Sequence, residues 1–366
     1  MRDKPRRNDF WKRKGAMRKF KQILGFWGNS KHHFCMTATD TPLKIGILDV
    51  PFEKGQDKSG VAKGPKRLRE AGLLEKLTEC CGNVDVKDYG EVTYKNSCKD
   101  VQVTNMKHYD HVISCSKELS NKVEHIVREG RICLTLGGDH SIGIGTIHGH
   151  MKARRGDNVA VLWVDAHADL NTNQTSQSGN AHGMPMAFLA KELSAYWPPL
   201  PATDWFVPRL SLRNLAYIGL RSVDPYENVI MHNLGISYFD MFDIQRYGID
   251  AVVSSALDKM DPHHKKAIHV SFDIDSLDPL EAPSTGTPVR GGLLLREGIH
   301  IMTAVYKTGR LGAMDLVEVN PMIGNENDVD KTLTAAIHII LAAFGHNKRG
   351  INPEMQNLLH PIQEIK

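Results

Sequence analysis

Short apolar segments that alternate with helix-like segments are the feature of this sequence that most restricts its fold. Segment 159–164, Val-Ala-Val-Leu-Trp-Val, is apolar at every position, as expected of a strand buried on both faces of a sheet. Between such segments, apolar residues such as Leu68, Ala71 and Leu74 recur at helical spacing. Strands that alternate with helices are typical of βαβ units, so the sequence predicts an α/β protein with a mainly parallel, doubly wound sheet.

The alternation covers most of the chain. The segments predicted to be strands are 43–50, 84–89, 132–136, 159–164, 215–220, 236–239, 267–272 and 311–317. The segments predicted to be helices are 64–80, 108–128, 183–193, 293–307 and 330–344. Because the pattern is continuous, we expect one α/β domain over 41–350, preceded by a leader at 1–40 and followed by a tail at 351–366.

The positive charge of the chain belongs to the leader. Residues 1–40 contain eleven Lys or Arg and three Asp, a net charge of +8. Because the whole chain has a net charge of +4, the remaining residues sum to −4. The folded body therefore offers no basic surface for nucleic acid. The leader fits a mitochondrial transit peptide, a membrane-surface helix or a disordered tail, so the sequence leaves both a cytoplasmic and a mitochondrial location open.

The cysteines and the apolar segments restrict the setting of the protein further. None of the six cysteines forms a C-x-x-C pair, which favours reduced thiols in a reducing compartment over a disulfide framework. No apolar run reaches the ~18 residues needed to cross a bilayer, so we predict no transmembrane helix.

Clusters of polar residues follow four of the predicted strands. These clusters consist of His140, the alternating residues Asp165, His167 and Asp169, the pair Asp273 and Asp275, and Glu318. Ligand crevices in α/β sheets lie beyond the carboxyl ends of the strands, and residues two apart in an extended chain point to the same side. The polar side chains are therefore predicted to converge.

The charge of such a site indicates metal ions. About four carboxylates would meet in a partly dry crevice, where burying even one unpaired charge costs several kcal/mol. Two divalent cations, with two imidazoles completing the ligand shells, would neutralise this charge. Oxygen-rich shells with imidazole and no thiolate favour manganese, although cobalt, nickel or iron could occupy the same site. Each cluster alone is equally compatible with helix capping or a tight turn.

The histidine pair His148 and His150 has metal-like spacing but no such carboxylates, and is predicted to lie on the surface or in a loop.

At these residues the sequence resembles the arginases of the ureohydrolase family. The matching motifs are Gly137–Ser141 (GGDHS), Asp165–Asn171 (DAHADLN), Ser178–Gly183 (SGNAHG), Ser271–Pro279 (SFDIDSLDP), Gly286–Pro288 (GTP) and Glu318–Pro321 (EVNP). The likeness extends from about Leu43 to Gly345. It implies a three-layer α/β/α sandwich, a homotrimer, two Mn²⁺ ions per subunit, and hydrolysis of the guanidinium group of L-arginine to L-ornithine and urea by a hydroxide that bridges the metals.

The resemblance also implies a role for each ligand. One metal would be held by His140, Asp165, Asp169 and Asp273. The other would be held by Asp165, His167, Asp273 and Asp275. Asp169 would pass a proton to the leaving amine, His182 would exchange protons with solvent, and Glu318 would anchor the guanidinium group.

A second set of residues corresponds to the family's substrate contacts. Those near the substrate carboxylate are Asn171, Ser176 and Ser178, with Asn180 of the same motif as a further candidate. Those near the α-amine are Asp224 and Glu227. Thr287 is expected either to contact substrate or to shape its Gly-Thr-Pro turn. Ser222, Lys58 and the tail after Gly345 depart from the family pattern, which leaves the homotrimer the least secure implication.

Three other functions compete with this interpretation. An agmatinase-like hydrolase would use the same metals on a decarboxylated substrate, but would need no carboxylate donors such as Asn171 and Ser178. A one-zinc deacetylase would not need four aspartates together. A non-catalytic metal or amino-acid binding protein would be expected to show a broken ligand set, whereas every ligand position is intact here.

Overall fold

Eight parallel strands form one sheet in the computed structural model, which describes residues 41–96, 101–155 and 158–346. The strands are β1 (Leu43–Asp49), β2 (Val84–Glu91), β3 (Ile132–Leu136), β4 (Val159–Val164), β5 (Leu215–Leu220), β6 (Ser237–Asp240), β7 (Ala267–Asp273) and β8 (Leu311–Val317). Their order across the sheet is β2-β1-β3-β8-β7-β4-β5-β6, and every neighbouring pair is parallel. The predicted leader and tail lie outside the described residues.

Helices cover both faces of the sheet. They are α1 (Gly64–Glu70), α2 (Leu73–Cys80), α3 (Tyr109–Arg128), α4 (Gly143–Ala153), α5 (Pro185–Leu189), α6 (Pro225–Leu234), α7 (Met241–Tyr247), α8 (Ile249–Met260), α9 (Leu295–Lys307) and α10 (Glu326–Ala343). Helices α3 to α6 pack on one face, and the others pack on the opposite face. None of these helices is both long and apolar enough to cross a membrane.

Strand β4 shows why the sheet needs two helical layers. All six of its residues are buried. Leu162 packs into the core on one face, whereas Val161 and Trp163 pack into the core on the other. Period-two alternation within a wholly apolar strand produces this arrangement. The predicted α/β/α sandwich with a doubly wound sheet is confirmed, and the sheet is wholly parallel within the described residues.

The predicted helices differ in detail from the observed ones. The predicted helix 64–80 is two helices, because Gly72 between them adopts a left-handed backbone with φ of 82°. Within the predicted helix 183–193, only Pro185–Leu189 is α-helical. Helix α10 begins four residues before its prediction, since the Asn325 side chain caps it by accepting from the amides of Asn327 and Asp328.

Helix α4 is one of four helices that the pattern did not predict, and tertiary packing explains it. Its three glycines disfavour an isolated helix. A Cβ atom at Gly145 would lie 2.8 Å from the carbonyl oxygen of Ser116, and one at Gly149 would lie 2.4 Å from that of Ser120. The glycines therefore allow α4 to pack closely against α3.

The histidines of α4 contradict the prediction of a surface or loop position. His148 and His150 are buried. The Nδ1 atom of His148 lies 2.8 Å from the hydroxyl of Ser120, and that of His150 lies 3.3 Å from Nδ1 of His269 on β7. Spacing alone could not reveal that this helix is covered on both sides. The two histidines are core residues.

Candidate metal centre

The four polar clusters lie together because the four strands that carry them are neighbours. Strands β3, β8, β7 and β4 are adjacent in the centre of the sheet and run in the same direction. Their carboxyl ends therefore share one edge, where parallel sheets place their ligand crevice. We call the six predicted ligands at this edge the strand-end cluster. Its members are His140, Asp165, His167, Asp169, Asp273 and Asp275.

The first half of the cluster surrounds one imidazole nitrogen. The Nδ1 atom of His140 lies 2.9 Å from Oδ2 of Asp165, 3.1 Å from Oδ2 of Asp273 and 3.2 Å from Oδ2 of Asp169. Among the described residues, however, this buried nitrogen has no hydrogen-bond partner of suitable geometry. Three carboxylate oxygens that face one nitrogen lone pair form the arrangement expected of ligands to a shared cation.

The second half of the cluster uses the other oxygen of Asp165. The Nδ1 atom of His167 lies 3.4 Å from Oδ1 of Asp165 and 3.3 Å from Oδ2 of Asp275. The ligand atoms of His140, Asp165 and Asp169 lie within 4.8 Å of one another, as do those of Asp165, His167 and Asp275, close enough to hold a metal ion. Asp165 belongs to both halves, so the geometry fits two cations that share one carboxylate.

Charge is concentrated in the cluster. Burial raises the pKa of Asp273 well above its usual range, and the neighbouring Asp275 and Asp165 raise it further. Burial and Asp165 also raise the pKa of Asp169 to about 6. Burial disfavours the charged imidazole of His167, but Asp275 and Asp165 outweigh it and raise its pKa to about 12. Asp273, Asp169 and His167 therefore hold protons more tightly than usual in the metal-free cluster, and divalent cations would displace such protons.

Two residues behind the cluster fix its orientation. The Nε2 atom of His140 lies 2.9 Å from the hydroxyl of Ser271, which leaves Nδ1 for the cluster. The indole of Trp163 stacks on His140 with ring centroids 3.9 Å apart, and its N–H donates to Asp165 at 2.9 Å. Neither residue was predicted as a site residue. Each precedes a ligand by two positions on its strand, so the same alternation could have identified both.

Glu318 lies behind His182 at the edge of the cluster. Its Oε1 atom lies 3.1 Å from Nδ1 of His182 and accepts from the amide of His140 at 2.9 Å. Burial disfavours the imidazolium of His182, but Glu318 outweighs this effect and raises the pKa of His182 to about 9. Glu318 and Asp169 both adopt left-handed backbones, with φ of 62° and 48°. Such conformations in non-glycine residues are characteristic of functional sites.

A cavity of about 280 Å³ opens in front of the cluster. It is lined by His167, Asp169, Asn171, Ser176, Gln177, Ser178, His182, Gly183, Ser222, Asp224, Glu227, Asp273 and Thr287. Most of the predicted substrate contacts are therefore brought to one pocket. Glu318 and Asn180 are not part of the lining. The amide of Asn180 instead donates to Asp57 at 3.1 Å. Gln177 was not predicted, and no sequence pattern singles it out.

The pocket rim joins a loop to the start of α6. The Nδ2 atom of Asn171 donates to Asp224 at 3.0 Å, and its Oδ1 atom accepts from the hydroxyl of Thr175 at 2.8 Å. Both oxygens of Glu227 accept backbone N–H groups, from Asp224 at 2.9 Å and from Leu170 at 2.8 Å. Burial raises the pKa of Glu227 to about 7. Glu227 therefore holds the two sides of the rim together.

Thr287 and Lys58 connect the cluster to the Gly-Thr-Pro turn at Gly286. The hydroxyl of Thr287 donates to Oδ2 of Asp275 at 2.8 Å, which favours a structural role in addition to its place in the pocket. The ammonium of Lys58, one of the departures from the family pattern, donates to the carbonyl of Gly286. Lys58 thus holds the turn that carries Thr287.

Comparisons with known proteins agree with this geometry. The model of the arginase family matches residues 43–345. Human arginase-1 is 45% identical over 318 residues, which cover 87% of this chain and 98% of the relative. Rat mitochondrial arginase-2 is 44% identical over 308 residues, which cover 84% and 86%. The crystal structure of arginase from Bacillus cereus superposes with a TM-score of 0.74 at 36% identity, and covers 84% of this chain and 100% of that one.

Proposed function

The chain belongs to the arginase family, and on that premise we propose that its strand-end cluster binds two Mn²⁺ ions and uses them on L-arginine. The enzyme is an arginase, which hydrolyses the guanidinium group of L-arginine to L-ornithine and urea. The cluster is a divalent metal site. The identity of the metal and its number per subunit are part of the proposal.

One observation carries the assignment of the metals. Nδ1 of the buried His140 faces oxygens of Asp165, Asp169 and Asp273 at 2.9–3.2 Å without hydrogen-bond geometry to any of them. A proton on this nitrogen can point at one carboxylate, whereas a cation satisfies all three at once. The second half of the cluster repeats the pattern around His167. Oxygen-rich shells with one imidazole each favour manganese over zinc.

The metals would supply the nucleophile. Two divalent cations, when bound, lower the pKa of a shared water and stabilise negative charge that develops on the substrate. His140, Asp165, Asp169 and Asp273 would hold one cation, and Asp165, His167, Asp273 and Asp275 the other. Ser271 and Trp163 would keep the ligands in place. Ser271 hydrogen-bonds His140, and Trp163 stacks on His140 and donates to Asp165.

Three side chains would carry the rest of the reaction. Glu318 would accept N–H groups of the planar guanidinium and set its carbon in the line of attack. Asp169, whose pKa is raised to about 6 in the metal-free site, would deliver a proton to the departing nitrogen. His182 lies in the pocket lining and bonds Glu318, so it would exchange that proton with solvent.

The rim would select the amino-acid end of the substrate. Asn171, Ser176 and Ser178 would bind the α-carboxylate, and Asp224 and Glu227 would bind the α-amine directly or through water. All five line the pocket. An agmatinase would leave these carboxylate donors unused, which is the physical reason to prefer an amino-acid substrate.

Assembly and location belong to the same proposal. We expect a homotrimer, as the family resemblance implies, and an effect of the divergent tail on its packing. The basic leader at 1–40 would direct the chain to mitochondria if it acts as a transit peptide, and the chain would otherwise be cytoplasmic. Imaging of a tagged full-length chain separates these locations, and light scattering of the purified protein gives the subunit number.

Urea release from L-arginine tests the proposed function directly. Purified protein loaded with Mn²⁺ should produce urea and ornithine in equal amounts, with about two metal ions per subunit by elemental analysis. Absence of urea from the metal-loaded protein would refute the activity. Full activity with a single zinc ion per chain would refute the two-metal centre and leave the fold assignment intact.

A further inference from the structure

Residues 171–180, which we call the carboxylate loop, are held in place from outside the pocket by a neighbouring segment, 103–107. From this contact we infer that Asn105 is a positioning residue that sets the preference of the enzyme for a substrate with an α-carboxylate. The inference rests on the proposed function, in which the inner side of this loop binds that carboxylate. Asn105 itself does not line the pocket.

The amide of Asn105 reaches two carbonyl groups of the carboxylate loop. Its Nδ2 atom donates to the carbonyl of Asn173 and to that of Ser176, both at 2.8 Å. One NH₂ group has two hydrogens, so both are used. The two acceptors lie on either side of the loop's turn. A single side chain thus fixes the backbone at two points, one of them Ser176, which lines the pocket.

Two further hydrogen bonds join the loop to the same segment, one donated from each side. The Nδ2 atom of Asn173 donates to the carbonyl of Thr104 at 2.9 Å, and the backbone amide of Lys107 donates to the carbonyl of Gly179 at 2.9 Å. Asn173 is only 6% exposed, so its bond is shielded from water. The two asparagines therefore form a reciprocal clasp, in which each amide binds the backbone on the other side.

Close packing accompanies the clasp. Gly179 has φ of 71°, and a Cβ atom there would lie 2.9 Å from Oδ1 of Asn105. Asn105 has φ of 54°, a left-handed conformation that asparagine tolerates better than most residues. Side chain and backbone of Asn105 thus both suit the position, which argues against an incidental surface contact.

The inner side of the loop depends on where the clasp holds it. Ser176 and Ser178 line the pocket, and their hydroxyls accept from the amides of Gly179 and Asn180 at 3.0 and 3.2 Å. These are local turns, and they do not fix the loop relative to the strand-end cluster. The clasp holds the loop from outside the pocket, in addition to the bond from Asn171 to Asp224. Displacement of the loop would move the carboxylate donors while the ligands, which lie at strand ends, stay in place.

The test is Asn105→Gly, which removes both donors, keeps the left-handed backbone free of strain and introduces no charge. We expect the KM for L-arginine to rise by about threefold to tenfold, since Asn105 is exposed and water can partly replace its bonds. kcat should change less than about twofold, and the metal content should not change. Turnover of agmatine, which lacks the carboxylate, should be unaffected.

Controls separate positioning from loss of structure. Asn83→Gly makes the same change at another exposed bend and should leave both substrates unaffected. Asn173→Ala breaks the other half of the clasp and should reproduce the rise in KM for arginine alone. An equal loss of kcat/KM for arginine and agmatine in Asn105→Gly, or an unchanged KM for arginine, would overturn the inference. If the wild type itself fails to prefer arginine, the proposed function fails instead.

Discussion

The strand-end cluster and the pocket rim lie side by side, yet they are held by different means. The cluster ligands lie at or just beyond the ends of β3, β4 and β7, where the register of the sheet sets their spacing. The rim consists of the carboxylate loop and the start of α6, and side-chain hydrogen bonds such as that from Asn171 to Asp224 hold it. The proposed metal centre therefore depends on the core of the fold, whereas the proposed selection of substrate depends on contacts that can change while the core stays the same.

The strongest test of this division removes the ligand that both halves of the cluster share. Asp165→Ala should lose both metals and lower activity by more than about 100-fold, because removal of a partner behind the ligands already costs about 10- to 100-fold. Elemental analysis and urea release measure the two effects. Asp258→Ala removes an exposed aspartate and should behave as wild type. Retention of two metals by Asp165→Ala would show that the cluster is not organised around this carboxylate.

The rim should discriminate between substrates that the cluster treats alike. Agmatine carries the same guanidinium group as arginine but leaves Asn171 and Ser178 without a charged partner. A site built to hydrogen-bond a group can favour the substrate that carries it over an analogue without it by about 10⁴-fold in kcat/KM. Water in an open pocket replaces part of the missing group, so we expect a preference of at least about 10²-fold here. The kcat/KM values for the two substrates on the wild-type protein decide the matter. Equal values would mean that the rim does not select.

A change within the rim should leave the cluster intact. Asp224→Ala removes the acceptor for Asn171 and the proposed acceptor for the α-amine, so arginine binding should weaken by about 1–3 kcal/mol while both metals stay bound. Asp224→Asn, which keeps the size of the side chain and an oxygen acceptor for Asn171, should show a smaller effect. KM and metal content are measured on the same preparations. Loss of metal from either variant would contradict the separation of the two regions.

His182 lies where the regions meet, and its titration should be visible in stability. Its pKa in the folded, metal-free protein is raised to about 9, above its unfolded value. The pair with Glu318 therefore stabilises the fold fully below about pH 6.5, and this stability is lost as the pH rises toward 9. We expect a loss of about 1–2 kcal/mol, since the side chain is 21% exposed and partly screened.

Urea unfolding of the metal-free protein at pH 6 and pH 9.5 measures this loss. The variant His182→Asn should show a smaller difference between the two pH values than wild type does. An identical difference in both proteins would assign the pH dependence to other groups.

Sequence patterns predicted the cluster better than the rim. Alternation along strands placed Asp165, His167 and Asp169 on one side, and all eight strands were predicted nearly to their observed bounds. The rim residues came from family resemblance alone, because loop conformation has no period that a sequence can reveal. Nothing in the sequence marked Asn105. Asn180 stays a prediction, and in the structure its amide donates to Asp57 outside the pocket lining.

Helices were predicted less well than strands for a related reason. The glycines of α4 disfavour a helix locally, and the close approach of α3 explains two of them, Gly145 and Gly149. The break at Gly72 likewise depends on a backbone conformation that the apolar spacing of 64–80 did not reveal. Local patterns describe how each segment meets the core, but they do not describe how segments meet one another.

The left-handed backbones of Asp169 and Glu318 lower the stability of the fold at two residues that the proposed reaction needs. L-residues other than glycine lose about 1–2 kcal/mol in this conformation. Glycine at either position would relax the chain and remove the proposed proton donor or the proposed guanidinium anchor. Selection for thermal stability alone would therefore favour inactive variants at these two positions. A screen for more stable variants must measure turnover as well as melting temperature.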